Sequence, residues 1–268
     1  MTVAASNQTI PKAADIRFDG VTKTFGSVAA LDDVSMTFAP NKITVLLGLS
    51  GSGKSTMLRH INGLHKPSAG AVWTLGTPMH SAGPAALRRL RNDVGMIFQQ
   101  FHLVESSSVL ENVCTGQLGS LRGPRFGLWS YPRAVREAAM EQLARVGLAD
   151  KAFQRAGSLS GGQQQRVAIA RALIQRPTVL LADEPVASLD PVSSAGVIEL
   201  LTQISREENL TVICSLHQVQ IALSFADRIV GLNAGRVVLD RSAAGMTHDD
   251  VDGIYSAEPV DQRLAMAV

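Results

Sequence analysis

Short apolar segments alternate with polar, glycine-containing turns along most of the chain, which is typical of an α/β protein. Segments rich in β-branched and aliphatic side chains predict strands. Between about 100 and 176 the apolar residues follow helical spacing instead, most clearly over 133–146. The pattern therefore predicts an α/β core interrupted by an inserted helical subdomain. The predicted strands cover residues 16–18, 28–38, 43–48, 70–75, 94–98, 178–182, 211–215, 228–232 and 236–239.

A glycine-rich turn follows the apolar strand 43–47. Residues 48–55 are Gly-Leu-Ser-Gly-Ser-Gly-Lys-Ser, and the glycines allow a tight turn whose backbone N–H groups approach phosphate oxygens. A helix is predicted next, and the unpaired N–H groups at its N-terminus favour a bound anion. Lys54 is then expected to contact the β- and γ-phosphates of a nucleotide, and Ser55 to ligate Mg²⁺. The helix is predicted to bury Met57, Leu58, Ile61 and Leu64 and to end at Asn62-Gly63.

Two carboxylates follow another strand that is apolar throughout. Residues 179–182 lead directly into Asp183 and Glu184, at the carboxyl end of a buried strand, where open α/β sheets bind ligands. Asp183 can hold Mg²⁺ through its coordination shell, and Glu184 can accept a proton from an attacking water. A solvated Asp-Glu pair is the common alternative, but the phosphate-binding turn already requires a carboxylate that holds the metal.

A second glycine-rich segment predicts a helix start. Residues 159–163 are Leu-Ser-Gly-Gly-Gln, and Ser160 is a favourable N-cap residue. Two adjacent glycines in a first helical turn cost about 1 kcal/mol each relative to alanine. We therefore expect a close approach of another group to this backbone, and the helix N-terminus offers a second anion site. The apolar stripe of this helix comprises Val167, Ala170, Leu173 and Ile174.

Together these motifs resemble, in order, those of the ATP-binding subunits of ABC transporters. The match covers about residues 15–240. It implies a P-loop NTPase core of the RecA type, with an antiparallel β subdomain and an inserted α-helical subdomain. The matching elements are residues 48–55 (Walker A), Gln99 (Q-loop), 159–163 (signature), 179–184 (Walker B), Asp190 (D-loop) and His217 (switch histidine).

The resemblance implies hydrolysis of ATP with Mg²⁺ between two copies arranged head to tail. ATP then lies between Lys54 of one copy and the signature of the other. Glu184 and His217 are the implied catalytic residues, and Ser55, Gln99 and Asp183 the implied metal ligands. Phe25 is expected to stack on adenine, with a core position as its alternative. The implied nucleotide-binding residues are Phe25, Gly48, Leu49, Ser50, Gly51, Ser52, Gly53, Lys54, Ser55, Thr56, Gln99, Ser160, Gly161, Gly162, Gln163 and Asp190.

The composition is that of a globular protein. The 268 residues are 46% hydrophobic and 18% charged, and a net charge of +2 without an arginine-rich stripe argues against nucleic-acid binding. No apolar run approaches the roughly 20 residues needed to cross a bilayer, and the polar N-terminus lacks a signal-peptide core. We expect a cytoplasmic protein whose membrane pore lies in another chain. Cys114 and Cys214 lack metal or redox spacing and are expected to be reduced thiols.

The expected organisation is one ABC ATPase domain between two short flanking segments. A flexible lead covers 1–14, the ATPase domain covers 15–240 with its helical subdomain at about 100–176, and a short tail covers 241–268. Residues 248–250 (His-Asp-Asp) are expected to be a solvated helix start rather than a metal site.

Within the family, the resemblance is strongest to the ATPase subunits of phosphonate importers and rests on residues 48–64, 183–191 and 215–240. It implies uptake of a phosphorus-containing anion (phosphonate, phosphate or phosphite) through separate transmembrane permease subunits. An extracytoplasmic solute-binding protein would take part indirectly, and the ATPase would be peripheral on the cytoplasmic face of the cell membrane. The alternatives are another importer, an exporter and an ABC ATPase acting on DNA or ribosomes. Residues 159–163 argue against a P-loop kinase, which needs no such helix.

Apolar residues directly after Gln99 predict a contact with the membrane partner. In the family this neighbourhood receives a short helix of the transmembrane subunit, so Phe101 and Leu103 are the expected docking residues. The segment 119–133 combines aromatic residues with arginine, which are favoured at interfaces. Its side chains could equally cover the helical subdomain.

Overall fold

The fold combines two sheets with helices packed on them, and the computed structural model describes residues 16–124 and 126–256. The expected lead over 1–14, Arg125 and the tail residues 257–268 lie outside this range. The strands are β1 (Ile16–Phe25), β2 (Val28–Phe38), β3 (Ile43–Leu47), β4 (Ala69–Thr74), β5 (Thr77–Pro78), β6 (Val94–Ile97), β7 (Val179–Asp183), β8 (Thr211–Leu216), β9 (Arg228–Asn233) and β10 (Arg236–Ser242). The helices are α1 (Lys54–Ile61), α2 (Pro84–Asp93), α3 (Val109–Cys114), α4 (Arg133–Arg145), α5 (Gly161–Leu173), α6 (Pro191–Glu207), α7 (Val219–Phe225) and α8 (Asp249–Ser256).

The larger sheet has six strands in the order β10-β9-β3-β8-β7-β6. Five of them run parallel, and β10 pairs antiparallel with β9. The carboxyl ends of parallel strands meet at one edge of a sheet. Here Leu47 pairs with Leu216, and Asp183 pairs with Ser215. The residues that directly follow β3, β7 and β8 therefore emerge side by side, which brings three distant parts of the sequence to one edge.

Both faces of this sheet are buried, which explains why its central strands consist mostly of apolar residues. On β3, Val45 and Leu47 face a core shared with the helices α3, α4 and α5, whereas Leu46 faces a second core. The second core contains α1 and the smaller sheet, including Phe18 and Phe38. The phosphate-binding turn is thus anchored between two packed layers.

The smaller sheet is antiparallel and has four strands in the order β2-β1-β4-β5. Helices α3, α4 and α5 pack on one another in the segment inserted between β6 and β7. The predicted fold class is therefore confirmed: a P-loop α/β core carries an antiparallel β subdomain and an inserted α-helical subdomain. The helix predicted over 133–146 is observed as α4, with Ala139, Leu143 and Val146 buried.

Several predicted bounds are wrong. Strand β1 continues to Phe25 rather than ending at residue 18, because Gly20 at φ +57° and shifts in strand register break the polar-apolar alternation there. Leu64 is 48% exposed, since α1 ends at Ile61 and the chain has already turned. Residues 100–108 are not helical, and the first helix of the insertion begins at Val109.

Four elements, α2, β5, α6 and α7, were not predicted from the sequence. Helix α2 contains charged and small residues with only Leu90 buried, so its helical periodicity is faint. Strand β5 has two residues, too few for a periodicity to appear. Neither α2 nor β5 contributes a residue to the site described below.

Candidate active site

The turn between β3 and α1 is tightly enclosed by its neighbours. Gly53 has φ +106°, a backbone conformation that L side chains rarely adopt. A Cβ atom at Gly53 would lie 2.4 Å from the carbonyl oxygen of Ala30, and one at Gly48 would lie 2.3 Å from that of Leu232. These contacts require glycine at both positions, and they hold the turn so that α1 begins directly at Lys54.

Lys54 points back into this turn. Its Nζ donates hydrogen bonds to the carbonyl oxygens of Gly48, at 2.8 Å, and Leu49, at 2.9 Å. Burial lowers the pKa of the Lys54 ammonium group, and the carboxylates of Glu184 and Asp183 oppose that shift. A buried cation that is hydrogen-bonded to carbonyl oxygens and faces two carboxylates is poised to receive an anionic ligand.

The carboxylate of Asp183 lies directly beside the start of α1. Its Oδ1 accepts a hydrogen bond from Ser55 Oγ at 2.8 Å and another from Ser215 Oγ at 2.8 Å. Ser215 Oγ in turn accepts a hydrogen bond from the backbone N–H of Glu184 at 2.9 Å. The sequence-predicted pair of Ser55 and Asp183 is therefore brought together, and Ser215 is an additional member that sequence reasoning missed.

Glu184 and His217 form a hydrogen-bonded pair at the same edge. His217 Nε2 contacts Glu184 Oε1, and His217 Nδ1 lies 3.2 Å from the carbonyl oxygen of Gly48. Glu184 adopts a left-handed conformation with φ +49°, which is uncommon for a residue other than glycine. The hydroxyl of Tyr255 in α8 donates to the carbonyl oxygen of His217 at 3.2 Å. His217 is therefore held through both its side chain and its backbone.

These groups line one open cleft of about 350 Å³. Phe25 is one of the lining residues; it is 47% exposed, and its ring meets that of His65 edge-on at 5.3 Å between centroids. An exposed aromatic ring is available for stacking, which argues against the alternative that Phe25 is a core residue. The lining residues are Phe25, Ala30, Ser50, Gly51, Ser52, Gly53, Lys54, Ser55, Thr56, Gln99, Glu184 and His217.

The segment 159–163 does not line this cleft. Ser160 caps α5: its Oγ accepts from the Gln163 N–H at 3.4 Å, and its own N–H donates to Gln163 Oε1 at 3.1 Å. A Cβ atom at Gly162 would lie 2.7 Å from Ser193 Oγ, so the expected close approach exists within the chain. At Gly161 the nearest atom, in Leu189, would lie 3.4 Å away, an ordinary contact. Packing against α6 therefore explains one glycine, whereas no steric reason for the other lies within residues 16–124 and 126–256.

Asp190 also lies outside the cleft lining and caps a helix. Its Oδ1 accepts from the N–H groups of Val192, at 3.1 Å, and Ser193, at 3.0 Å, at the start of α6. Hydrogen bonds from the Ser193 side chain and backbone lower the pKa of the Asp190 carboxyl group. Within one chain its observed contacts are those of an N-cap.

Comparison with known proteins places this geometry in a family. The model of the ABC transporter family matches residues 31–187, more than half of the chain. A phosphonates import ATP-binding protein of Frankia casuarinae is 64% identical over 246 residues, covering 91% of this chain and 97% of the relative. A phosphate-import ATP-binding protein of Mycolicibacterium smegmatis is 57% identical over 235 residues, covering 88% of this chain and 89% of the relative.

The chain belongs to the ABC transporter family. Among solved structures, the dimeric post-hydrolysis state of an ATP-binding cassette bound to ADP and Pi matches with a TM-score of 0.75 and 34% identity, covering 86% of this chain and all of that one. The protein is therefore an ATP-binding subunit that hydrolyses ATP to drive transport. None of the described helices of this ABC protein is long and apolar enough to span a membrane.

The Q-loop of this ABC protein lies between the cleft and the inserted helices. Gln99 lines the cleft, and the chain then turns at His102, which has φ +48°. Arg171 of α5 donates hydrogen bonds to the carbonyl oxygens of Phe101, at 2.8 Å, and His102, at 2.6 Å. Phe101 and Leu103 are both partly buried, and Leu103 packs on the core beside the inserted helices. The signature helix thus holds the segment that follows Gln99.

Proposed function

We propose that this protein is the ATPase subunit of an importer for a phosphorus-containing anion, either a phosphonate or phosphate. The convergence of Phe25, Lys54, Gln99, Glu184 and His217 on one cleft is the observation that carries the ATPase assignment. The anion class is supported by the names of the relatives in Frankia casuarinae and Mycolicibacterium smegmatis. The subunit itself does not touch the solute, so separate chains select it.

Mg²⁺ fits the donor atoms beside α1. The hydroxyl of Ser55, the carboxylate of Asp183 and the side-chain oxygen of Gln99 are hard oxygen donors of the kind that Mg²⁺ prefers. In the described part of the chain, the buried Ser52 Oγ has no hydrogen-bond partner, which leaves a polar atom free for a ligand at the turn. When bound, the ion would neutralise charge on the phosphate oxygens.

The polar and aromatic residues of the cleft have distinct roles in the proposed reaction. Lys54 exchanges its carbonyl partners for phosphate oxygens, and the N–H groups of residues 50–56 surround the same anion. Glu184 takes the proton of the attacking water. His217 holds the Glu184 carboxylate through Nε2, and Phe25 stacks on the adenine ring.

The second half of the proposed site comes from another copy of the chain. Ser160, Gly161, Gly162 and Gln163 lie outside the cleft, and packing among the described residues gives no reason for glycine at position 161. A head-to-tail dimer places this helix N-terminus against the nucleotide of its partner, where its N–H groups and Ser160 favour the γ-phosphate. Asp190 then lies at the interface. The dimeric cassette with ADP and Pi supports this arrangement.

The proposed assembly has two copies of this subunit on the cytoplasmic face of the membrane. They bind separate permease subunits, and a solute-binding protein delivers the anion on the other side. Residues 15–240 form the proposed ATPase domain, and the helices inserted between β6 and β7 form its helical subdomain. The relatives named as import proteins support this arrangement over an exporter cassette.

Glu184→Gln in the complex with its permease tests the proposal. The amide keeps the shape of the side chain but cannot take a proton, so we expect ATP binding to persist while turnover falls by about 10²- to 10⁴-fold. Mg²⁺-ATP should then trap a dimer of the isolated variant in size-exclusion chromatography with light scattering. Glu141→Gln, on an exposed position of α4, is the matched control.

Uptake of radiolabelled methylphosphonate and phosphate by vesicles containing the complex tests the solute. For the Glu184→Gln test, normal turnover of the variant complex together with a monomeric variant chain in Mg²⁺-ATP would refute the assignment of Glu184 as the base. Turnover stimulated by neither anion, in a complex that hydrolyses ATP, would refute the solute class alone.

A further inference from the structure

Ser215 is a buried polar residue at the centre of the nucleotide edge of the sheet. It lies on β8 in register with Asp183 of β7, and its exposed fraction is 0%. Its neighbours Cys214 and Leu216 both pack in the core beside the inserted helices. Strand alternation therefore turns Ser215 to the opposite face, toward α1. An aliphatic side chain would satisfy packing at this position, so the hydroxyl calls for a separate explanation.

The hydroxyl of Ser215 joins two adjacent acidic residues. It donates to Asp183 Oδ1 at 2.8 Å and accepts from the Glu184 N–H at 2.9 Å. Asp183 Oδ1 also accepts from Ser55 Oγ at 2.8 Å. Ser55 is itself a proposed Mg²⁺ ligand, whereas Ser215 has no such competing task. Its bond to Asp183 is therefore the one that can persist when the metal is held.

The backbone N–H that donates to Ser215 Oγ belongs to Glu184, the first residue after the end of β7. Glu184 has φ +49°, a sparsely populated conformation for a residue with a side chain. Such a conformation persists only where the surroundings fix it. The hydroxyl of Ser215 fixes the peptide N–H on one side of Glu184, and His217 fixes its carboxylate on the other.

We propose that Ser215 is a positioning residue for ATP hydrolysis, which orients the Asp183 carboxylate and the Glu184 backbone through one hydroxyl. This inference rests on the proposed roles of Asp183 and Glu184. Ser215 touches neither the nucleotide nor the water and acts through these two residues. Its loss leaves the phosphate-binding turn intact and releases the base from its left-handed conformation.

Four variants test this role in the complex with the permease. Ser215→Ala removes the hydroxyl. Ser215→Thr keeps it, and Ser215→Val matches the shape of threonine without it. Ser205→Ala is the control, since Ser205 is a buried serine that donates to the Leu210 carbonyl oxygen at 3.0 Å, away from the cleft. The measurements are kcat and KM for ATP, the Mg²⁺ concentration for half-maximal rate, the pH profile of kcat, and binding of a fluorescent ATP analogue in EDTA.

For Ser215→Ala we expect kcat to fall by about 10- to 100-fold, as for other groups that orient metal ligands. A higher Mg²⁺ requirement and a shifted pH profile should accompany that fall. Metal-free binding of the analogue should stay within about twofold of wild type, because the bonds of Lys54 are untouched. Ser215→Thr should retain kcat while Ser215→Val loses it, and Ser205→Ala should resemble wild type.

A Ser215→Ala variant with wild-type kcat and pH profile would overturn the role. If Ser215→Ala does not fold, the threonine and valine variants decide, and equal kcat values for that pair overturn it. An equal loss of kcat in Ser205→Ala assigns the effect to stability and also overturns it. Failure of the proposed function is recognised separately, because the wild-type complex itself would then not hydrolyse ATP.

Discussion

At the scale of single residues, Lys54 is the cation of the phosphate-binding turn. Its ammonium group is buried and bonded to two carbonyl oxygens of its own turn. Carbonyl dipoles compensate a buried cation only in part. A phosphate group that replaces these carbonyl oxygens brings a full negative charge to the Lys54 ammonium group. This charge pairing contributes to the binding energy of the nucleotide.

Lys54→Ala should therefore weaken ATP binding. A hydrogen bond to a charged group contributes about 1.5–3 kcal/mol, so affinity should fall by roughly 10- to 100-fold. Fluorescence titration of the isolated chain with an ATP analogue measures the loss. Lys42→Ala is the control, because Lys42 is an exposed lysine paired with Asp227. Equal affinities for both variants would contradict the role of Lys54.

At the scale of elements, the start of α5 has two adjacent glycines, Gly161 and Gly162, and different constraints act on them. Gly162→Ala places a Cβ atom 2.7 Å from Ser193 Oγ and 2.8 Å from Ser193 Cβ, and overpacking of this kind costs about 1–3 kcal/mol. Gly161→Ala meets only an ordinary contact at 3.4 Å. We expect urea unfolding to show the loss of stability for Gly162→Ala alone. Turnover of the complex should fall for Gly161→Ala as well, because position 161 is proposed to face the partner's nucleotide.

That expectation can fail in two distinguishable ways. A destabilised Gly161→Ala variant would show that its backbone is also constrained within the chain. A stable Gly161→Ala variant with normal turnover would show that no nucleotide approaches it across a dimer interface.

The two cysteines belong to helix α3 and strand β8 and report on the packing of both. Burial raises the pKa of the Cys114 thiol to about 11 and also raises the pKa of Cys214. Since the folded pKa lies above the unfolded one, the protonated thiol is favoured by folding. Its stabilising contribution is complete below the unfolded pKa, about 8.5, and decreases as pH rises from there through about 11 for Cys114.

Both thiols should accordingly resist iodoacetamide at pH 8 until the chain unfolds. Labelling followed by mass spectrometry over a urea series should give a midpoint that coincides with the loss of circular dichroism. Labelling of Cys214 before global unfolding would mean that β8 opens locally.

Predictability from the sequence also differs by element. Residues 48–55, 183 and 184 are predictable because each follows an apolar run that predicts a strand, whereas the role of His217 comes from the resemblance to the ABC family. Ser215 was missed because a lone serine inside a buried strand carries no periodic signal, and only the register with Asp183 reveals its partner. Ala30 and Tyr255 are not predictable from the sequence either, because contacts between distant elements decide their roles.

At the scale of the whole molecule, the segment after Gln99 connects the cleft to a surface. Replacing Phe101 and Leu103 together with Asp should weaken assembly with the permease and abolish solute-stimulated ATPase activity, because charged side chains replace apolar ones at the expected docking face. ATP affinity of the isolated chain should change little. Co-purification from membranes and ATPase assays measure both effects, with Val238→Asp on exposed β10 as the control.

Normal assembly and transport by the Phe101 and Leu103 double variant would place docking elsewhere, and the exposed Phe126 and Trp129 would be the next residues to replace. Loss of ATP binding as well would indicate a folding role, consistent with the bonds from Arg171 to this segment.

Residues 159–163 lie outside the cleft of their own chain, so an isolated copy in dilute solution contains half of the proposed composite ATP site. Its hydrolysis rate should then rise with the square of protein concentration until the copies pair. A permease that carries two copies changes this reaction order, because tethering sets a fixed effective concentration. Turnover per complex then becomes independent of dilution. The permease would thus bring the two ATPase subunits together as well as provide the route for the solute.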